Sequence, residues 1–439
     1  MARAVREGTL SGALPAVILH TIDSRLAHLS EPARELADLA AAIGRQFTYS
    51  ILAHACHCDE DSLVPALDEL WQRRIIREQG NDAYDFAHDK IREVAYSSLS
   101  AARRRLLHRR IAVALEEVHG HEPDAVAPAV ALHYDRAGDA ARAVLHLMRA
   151  AQAAGAVYAN EEAISYLQRA LELAPEARVP DLEVAALHEA LGRILARAGR
   201  HAEARTHNQD ALDLLPASQR LRRAQLNVSL AETWHAQHRY ADAHAALAAA
   251  LAALGEEPAD SDEEWWKAWT RMQFVRGDLL YFQARLDELA DLNRQMEAVL
   301  ARRGTIEQQA QLYARVRQQR LRQERYRPSP TTIEITRKSV ELARQANNRE
   351  LAGYEIFALG FLLLWCDDLD GAAEWLNRAL HEALSMGHVP LEDRCRAYLT
   401  ITARLCGDVE GVHSQVEAAM RVATAEQSPF YTAVAHGNL

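Results

Sequence analysis

Nowhere does the chain contain a G-x-x-x-x-G-K-[S/T] stretch, so no loop of backbone N–H groups is available to grip nucleotide phosphates. No acidic strand end follows such a loop to hold magnesium, and ATP hydrolysis by this chain alone is not expected. Aromatic residues make up only 6%, and there are 19 glycines and 13 prolines in 439 residues. Long alternations of β-branched and polar residues are missing, which excludes a large sheet. The five cysteines (Cys56, Cys58, Cys366, Cys395 and Cys406) are few, odd in number and unpaired in spacing. A disulfide framework is therefore not expected, and a reducing cytoplasm is the natural setting. No window of about twenty residues is continuously apolar, so no membrane span is expected. Met1 to Leu19 carries Arg3, Arg6 and Glu7 without a long apolar core, which excludes a signal peptide.

What is present is apolar but small. Hydrophobic residues reach 49%, with alanine prominent among them. Alanine has the best helix propensity and lets helices approach closely. The reading is a mostly α protein with apolar content for two or three domains. Fifty basic against sixty-one acidic residues give a formal charge of −11, which opposes a general attraction to nucleic acid.

The first hundred residues change period. Leu14, Val17, Ile18, Ile22, Leu26 and Leu29 have helical spacing. Ser30 followed by Pro32 is a helix start, a capping hydroxyl and then proline where a missing N–H costs little. Leu36, Leu39, Ala40 and Ile43 continue as a stripe closed by Gly44, and a third helix is expected around Ser50–His57. Asp59, Glu60 and Asp61 open a fourth, at the positive end of its dipole. The period then falls to 2. Residues 74–78, a turn at Gly80-Asn81-Asp82, and residues 84–87 read as a hairpin. Residues 88–119 return to helix, and His119–Pro123 marks a boundary.

Beyond it, small and large residues recur at loose intervals. Leu147, Ala151, Ala163, Leu167, Ala170 and Pro175 make one set; Leu191, Gly192, Ala204, Ala211 and Pro216 a second; Leu230, Ala231, Trp234, Ala243, Leu247 and Ala250 a third. Gly360, Ala372, Leu376 and Ala379 match well, Gly277, Tyr281 and Leu289 poorly, and Leu399 with Ala418 weakly. The series resembles tetratricopeptide (TPR) repeats, paired helices of about 34 residues. Interruptions are expected at Gly255–Asp262 and, between repeats, at Arg325–Pro330. Ser428–His436 reads as the opening helix of another repeat, so the chain looks cut at both ends.

The stretch from Tyr84 to Tyr96, with Phe86, His88, Asp89, Ile91 and Arg92, resembles the "MHD"-type end of the winged-helix domain in bacterial STAND signalling ATPases. The match covers roughly residues 14–120, with Ala87 where the family has methionine. The resemblance implies residues 1–30 as a linker helix from a missing ATPase module, 31–120 as winged helix and following helices, and 121–439 as TPR-like repeats. It implies a nucleotide-sensing role for His88 and Asp89, with ATP or ADP bound only when an ATPase domain is joined in cis or in trans. By itself the chain is expected to need no cofactor. A helix cap is the alternative role for His88 and Asp89.

Other candidates are weighed in the same way. His54, Cys56, His57 and Cys58 lack a second ligand pair for zinc, so buried structural cysteine is the better reading and no metal site is expected. Arg103, Arg104, Arg105, His108, Arg109 and Arg110 alternate with Leu106, Leu107 and Ile111, as the solvated face of a packed helix would. The acids of the fourth helix oppose direct DNA binding, with only Arg73 and Arg74 against them. Trp265 and Trp269 share a face suited to packing, leaving Trp266 as the surface candidate. The expected function is the regulatory and sensor part of a STAND-like signalling or transcriptional regulator. A protein or small effector would sit in the repeat groove, with Trp266, Arg315 and Arg322 as anchors. The alternatives are an autonomous TPR scaffold and a winged-helix transcription factor.

Overall fold

The computed structural model describes residues 16–80, 82–157, 159–256, 263–386 and 388–425, with Gly437. The acidic stretch at 257–262, Asn81 of the expected turn, and the helix expected at Ser428–His436 lie outside the described residues. The chain divides into two compact units, 1–219 and 220–439. This division falls among the helical pairs and not at the His119–Pro123 break.

Unit 1 opens with α1 (Ala16–Ala27), α2 (Glu31–Ile43), β1 (Gln46–Thr48), α3 (Tyr49–Cys56), α4 (Glu60–Gln72), β2 (Ile76–Glu78) and β3 (Ala83–Phe86). Ser30 caps α2 by accepting from the Ala33 N–H, and Asp59 caps α4 through Ser62. The two strands of the expected hairpin pair antiparallel, with Ile76 opposite Phe86. A third strand was not anticipated. β1 pairs with β3 on its other side, Phe47 opposite Tyr84, so the sheet order is β1-β3-β2. Phe47 and Phe86 meet edge to face beneath it at 5.9 Å. A bidentate bond from Arg77 to the buried Asp85 ties β2 to the central strand, at 2.6 and 2.9 Å.

From there on the unit is helical. α5 (Asp89–Ser97), α6 (Ala101–Val118), α7 (Pro123–Ala137), α8 (Ala140–Ala156), α9 (Asn160–Ala177), α10 (Asp181–Arg197) and α11 (His201–Leu214) follow; α5 packs on α2 and α1, α6 on α7 and α3, and α7 to α11 mainly against their chain neighbours. One continuous core runs from Ile22 to Ala204, and more than a third of it is alanine. Cys56 and Cys58 correct the sequence reading. They form a disulfide across the end of α3, with Cα atoms 5.3 Å apart, and Cys58 is exposed. Two residues apart, the sulfurs are brought together by the left-handed backbone of His57 between them (φ 56°). Joined to each other, they offer no thiolate pair for zinc.

The described residues of unit 2 form five helical pairs: α12 (Arg220–Ala236) with α13 (Tyr240–Leu254), α14 (Glu263–Phe282) with α15 (Leu286–Arg303), α16 (Ile306–Gln323) with α17 (Pro330–Gln345), α18 (Arg349–Trp365) with α19 (Leu369–Met386), and α20 (Val389–Cys406) with α21 (Val409–Ala425). Gly360 permits the α18–α19 crossing, since a Cβ there would stand 2.9 Å from the Leu376 nitrogen. The expected break between repeats at Arg325–Pro330 is instead the turn inside the α16–α17 pair. Arg325 and Tyr326 take left-handed backbone there, and Glu324 accepts from Ser329 and Thr332 to hold the turn closed. Among the described residues no helix is long and apolar enough to cross a membrane.

Candidate partner-binding site

The first helices of the five pairs in unit 2 line one groove of about 650 Å³. Phe274, Tyr354, Phe357 and Phe361 supply its apolar surface. The chain sets these helices in register with a ladder of arginine–carboxylate bridges. Arg271 on α14 reaches back to Glu232 on α12 at 2.7 Å. Arg315 on α16 makes a bidentate bond to Asp278 on α14, at 2.7 and 2.9 Å. Arg317 on α16 pairs with Glu355 on α18, with side chains only 9% and 3% exposed. Arg394 on α20 completes the series by lying 5.8 Å from the centre of the Tyr354 ring on α18. Each first helix is thus tied to the next through an arginine.

Two local features make this possible. Gly277 gives the Arg315 guanidinium room, because a Cβ at 277 would lie 3.1 Å from its Nη1. The same guanidinium lies over the Phe274 ring at 4.7 Å, so one residue serves both an ion pair and a cation–π contact. The buried Arg317–Glu355 pair has the opposite logic. Two charges removed from water contribute little net stability together but are costly to separate, so the pair fixes register. The groove therefore combines aromatic surface with guanidinium groups already held in place, and Arg394 is exposed at one end.

Of the expected anchors, only Arg315 lines this groove. Arg322 folds back onto its neighbour, donating to the Tyr281 carbonyl at 2.6 Å and stacking on that ring at 3.9 Å. Trp266 lines a separate cleft of about 490 Å³ between α14 and α15, with Arg303 over its ring at 5.1 Å. Trp265 and Trp269 pack against the apolar cluster of α12, α13 and α14, and Trp269 also reaches the cluster of α14, α15 and α16. Sequence reasoning did not find Phe274, Tyr354, Phe357 or Arg394, whose only common signal is placement on alternate helices.

In unit 1, His88 stands exposed at the start of α5, and its imidazole makes no capping bond. That removes the side-chain cap reading for His88, which holds the N-cap position of α5 with its backbone alone. Asp89 is half-exposed and pairs with Arg45 at 3.3 Å. One turn along α5, Arg92 joins Arg104, Arg105 and Arg136 around a cleft of about 510 Å³ that no carboxylate lines. Arg92, Arg105 and Arg136 make no ion pair among the described residues. Arg104 is spent on structure, donating to the Tyr96 and Ser97 carbonyls. Beneath the cleft Tyr96, His108 and His133 form a buried chain at 2.8 Å per link. On α4, Glu69 accepts from Ser30 and Arg73, and Glu60 accepts from Tyr49. These acids are engaged in packing the domain.

A tetratricopeptide repeat family model matches residues 159–217, which span α9 to α11. A STAND protein with a tetratricopeptide repeat sensor, from Pyrococcus horikoshii, has a similar solved structure, with a TM-score of 0.57 over 96% of this chain at 12% identity. Aspartyl phosphate phosphatase F from Bacillus subtilis aligns with 83% of this chain and 88% of its own length, at a TM-score of 0.43 and 12% identity. An uncharacterised protein of Rhizobium meliloti (strain 1021) is 34% identical over 182 residues, or 40% of this chain. The match spans 61% of the Pyrococcus protein and 18% of the rhizobial one. In class, this is a mostly α-helical protein whose residues 159–217 match a TPR model, with a small three-stranded sheet between Gln46 and Phe86.

Proposed function

We propose that this chain is the sensor and regulatory portion of a STAND-like signalling or transcriptional regulator, and that unit 2 holds a peptide segment of a protein partner. The observation that carries the reading is the groove across five first helices, with its aromatic surface and arginines fixed in position. Aromatic and arginine side chains supply most binding energy at protein interfaces, most of all where they are held rigid before the partner arrives. The order helix–strand–helix–helix–hairpin over residues 31–86 supports a winged helix ahead of the repeats, in the arrangement that the resemblance implies. The exposed, unbonded His88 and the nearby arginine cleft are consistent with unit 1 meeting an anionic group, such as a diphosphate held by an ATPase domain. The chain itself acts by recognition and not by catalysis.

The test starts with peptides selected from a random library on the full chain, whose affinities are then measured on variants. Gln318→Trp narrows the groove and Arg394→Glu reverses the charge at its exposed end; both positions are exposed. Each change should weaken the selected peptides about tenfold or more, a difference of about 1.4 kcal/mol. Peptides that bind both variants as tightly as the parent would place recognition elsewhere.

A further inference from the structure

His188 on α10 and His207 and Asp210 on α11 converge across one helical pair, three and nineteen positions apart along the chain. Their facing atoms make a small triangle. The two imidazole Nδ1 atoms are 2.9 Å apart, and Asp210 Oδ2 lies 3.6 Å from His188 Nδ1 and 3.7 Å from His207 Nδ1. Hydrogen bonding alone accounts poorly for this arrangement. One imidazole can donate its proton to the other, but both nitrogens are then committed and the carboxylate lies beyond hydrogen-bond reach of each. No arginine or lysine pairs with Asp210 among the described residues.

We propose that His188, His207 and Asp210 bind a divalent transition-metal ion of the zinc class. The point equidistant from the three atoms lies about 2.0 Å from each, the length of a zinc–imidazole or zinc–carboxylate bond. Imidazole nitrogen and carboxylate oxygen form a donor set that suits zinc, nickel or copper and not calcium. The side chains are 16%, 23% and 45% exposed, so an ion has a path in and one face remains open. Glu203, one turn before His207, is held in a bidentate bond by Arg200 at 2.7 Å and is not free to close the shell. Water would complete the coordination. An ion here would clamp α10 to α11 inside the tetratricopeptide segment.

The experiment is titration of the chelator-stripped full chain with zinc, followed by calorimetry, and with cobalt(II), followed by its visible ligand-field absorption. We expect one saturable equivalent, a low-coordinate cobalt spectrum and a higher melting temperature for unit 1. Asp210→Asn, nearly isosteric, and His207→Ala should each weaken binding about 10- to 100-fold or more, while His201→Ala on the same helix should leave it unchanged. Zinc binding retained in both ligand variants would mark adventitious capture by other histidines and overturn the proposal. So would the absence of saturable binding in a parent chain that is folded by circular dichroism.

Discussion

His88 is the residue on which the sensor reading turns, and its surroundings make that reading testable. It is exposed, makes no capping bond and begins a helix whose first-turn charge is supplied by Asp89. A side chain with no partner has little to lose, so His88→Ala should change the stability of this chain by less than about 0.5 kcal/mol in urea unfolding. A loss above about 1 kcal/mol would mean that the ring is structural. The tryptophans separate in the same way. Trp269 touches two apolar clusters, and Trp269→Ala should cost about 3–5 kcal/mol. Trp266 touches neither cluster and meets its neighbours edge to face, at 4.9 and 5.5 Å. Its removal should cost about 1 kcal/mol, the worth of aromatic pairs on a half-buried side. Equal losses for Trp266→Ala and Trp269→Ala would make Trp266 a core residue and end its candidacy as an anchor.

At the scale of the element, the α6–α7 pair carries a pH dependence. His108 and His133 bond Nδ1 to Nδ1 and are almost wholly buried. Burial, with the charge of Arg136 beside both, depresses them to about 4 and about 3 respectively; Arg104 adds to the effect at His108 and His108 itself at His133. Their stabilising contribution is present above the unfolded value near pH 6.5 and is lost as pH falls toward the folded values, because the unfolded chain takes up the protons first. Unit 1 should therefore lose up to about 1.4 kcal/mol per histidine for each pH unit below about 6.5. Denaturant unfolding at about pH 7 and about pH 5.5 measures this, and the double variant His108→Phe/His133→Leu should flatten the slope. An unchanged slope would assign the acid sensitivity to other groups. None of this pairing was legible in the sequence, where His108 read as part of a basic face. The start of α2 was legible, because Ser30 and Pro32 act locally, and so was the hairpin, because its turn and alternation are contiguous. β1 escaped notice because three residues carry too little period, and its place is set by pairing with β3 some thirty-seven positions away.

Across the whole molecule, the repeats could be read from recurring small residues, since close helix crossings leave room for little else. The groove could not, because its lining comes from one face of five helices spread from Glu232 to Arg394. The metal-binding triangle stayed hidden for the same reason, among twenty histidines. What the sequence says about nucleotides is more direct. Tight triphosphate binding needs a run of backbone N–H groups with a lysine aimed at the β- and γ-phosphates, and no stretch of this chain supplies one. The arginine cleft beside α5 offers cations without that cradle or a carboxylate to hold magnesium. It can attract phosphate as a screened charge, which weakens steeply with salt. Calorimetric titration of the purified chain with ATP or ADP at physiological ionic strength should therefore show no saturable heat at micromolar ligand, with or without magnesium. Any weak binding at low salt should vanish on addition of salt and in Arg92→Ala/Arg136→Ala. A micromolar, magnesium-dependent dissociation constant that survives physiological salt would show a nucleotide site within this chain, and the reading of it as a sensor that borrows its nucleotide from another domain would fall.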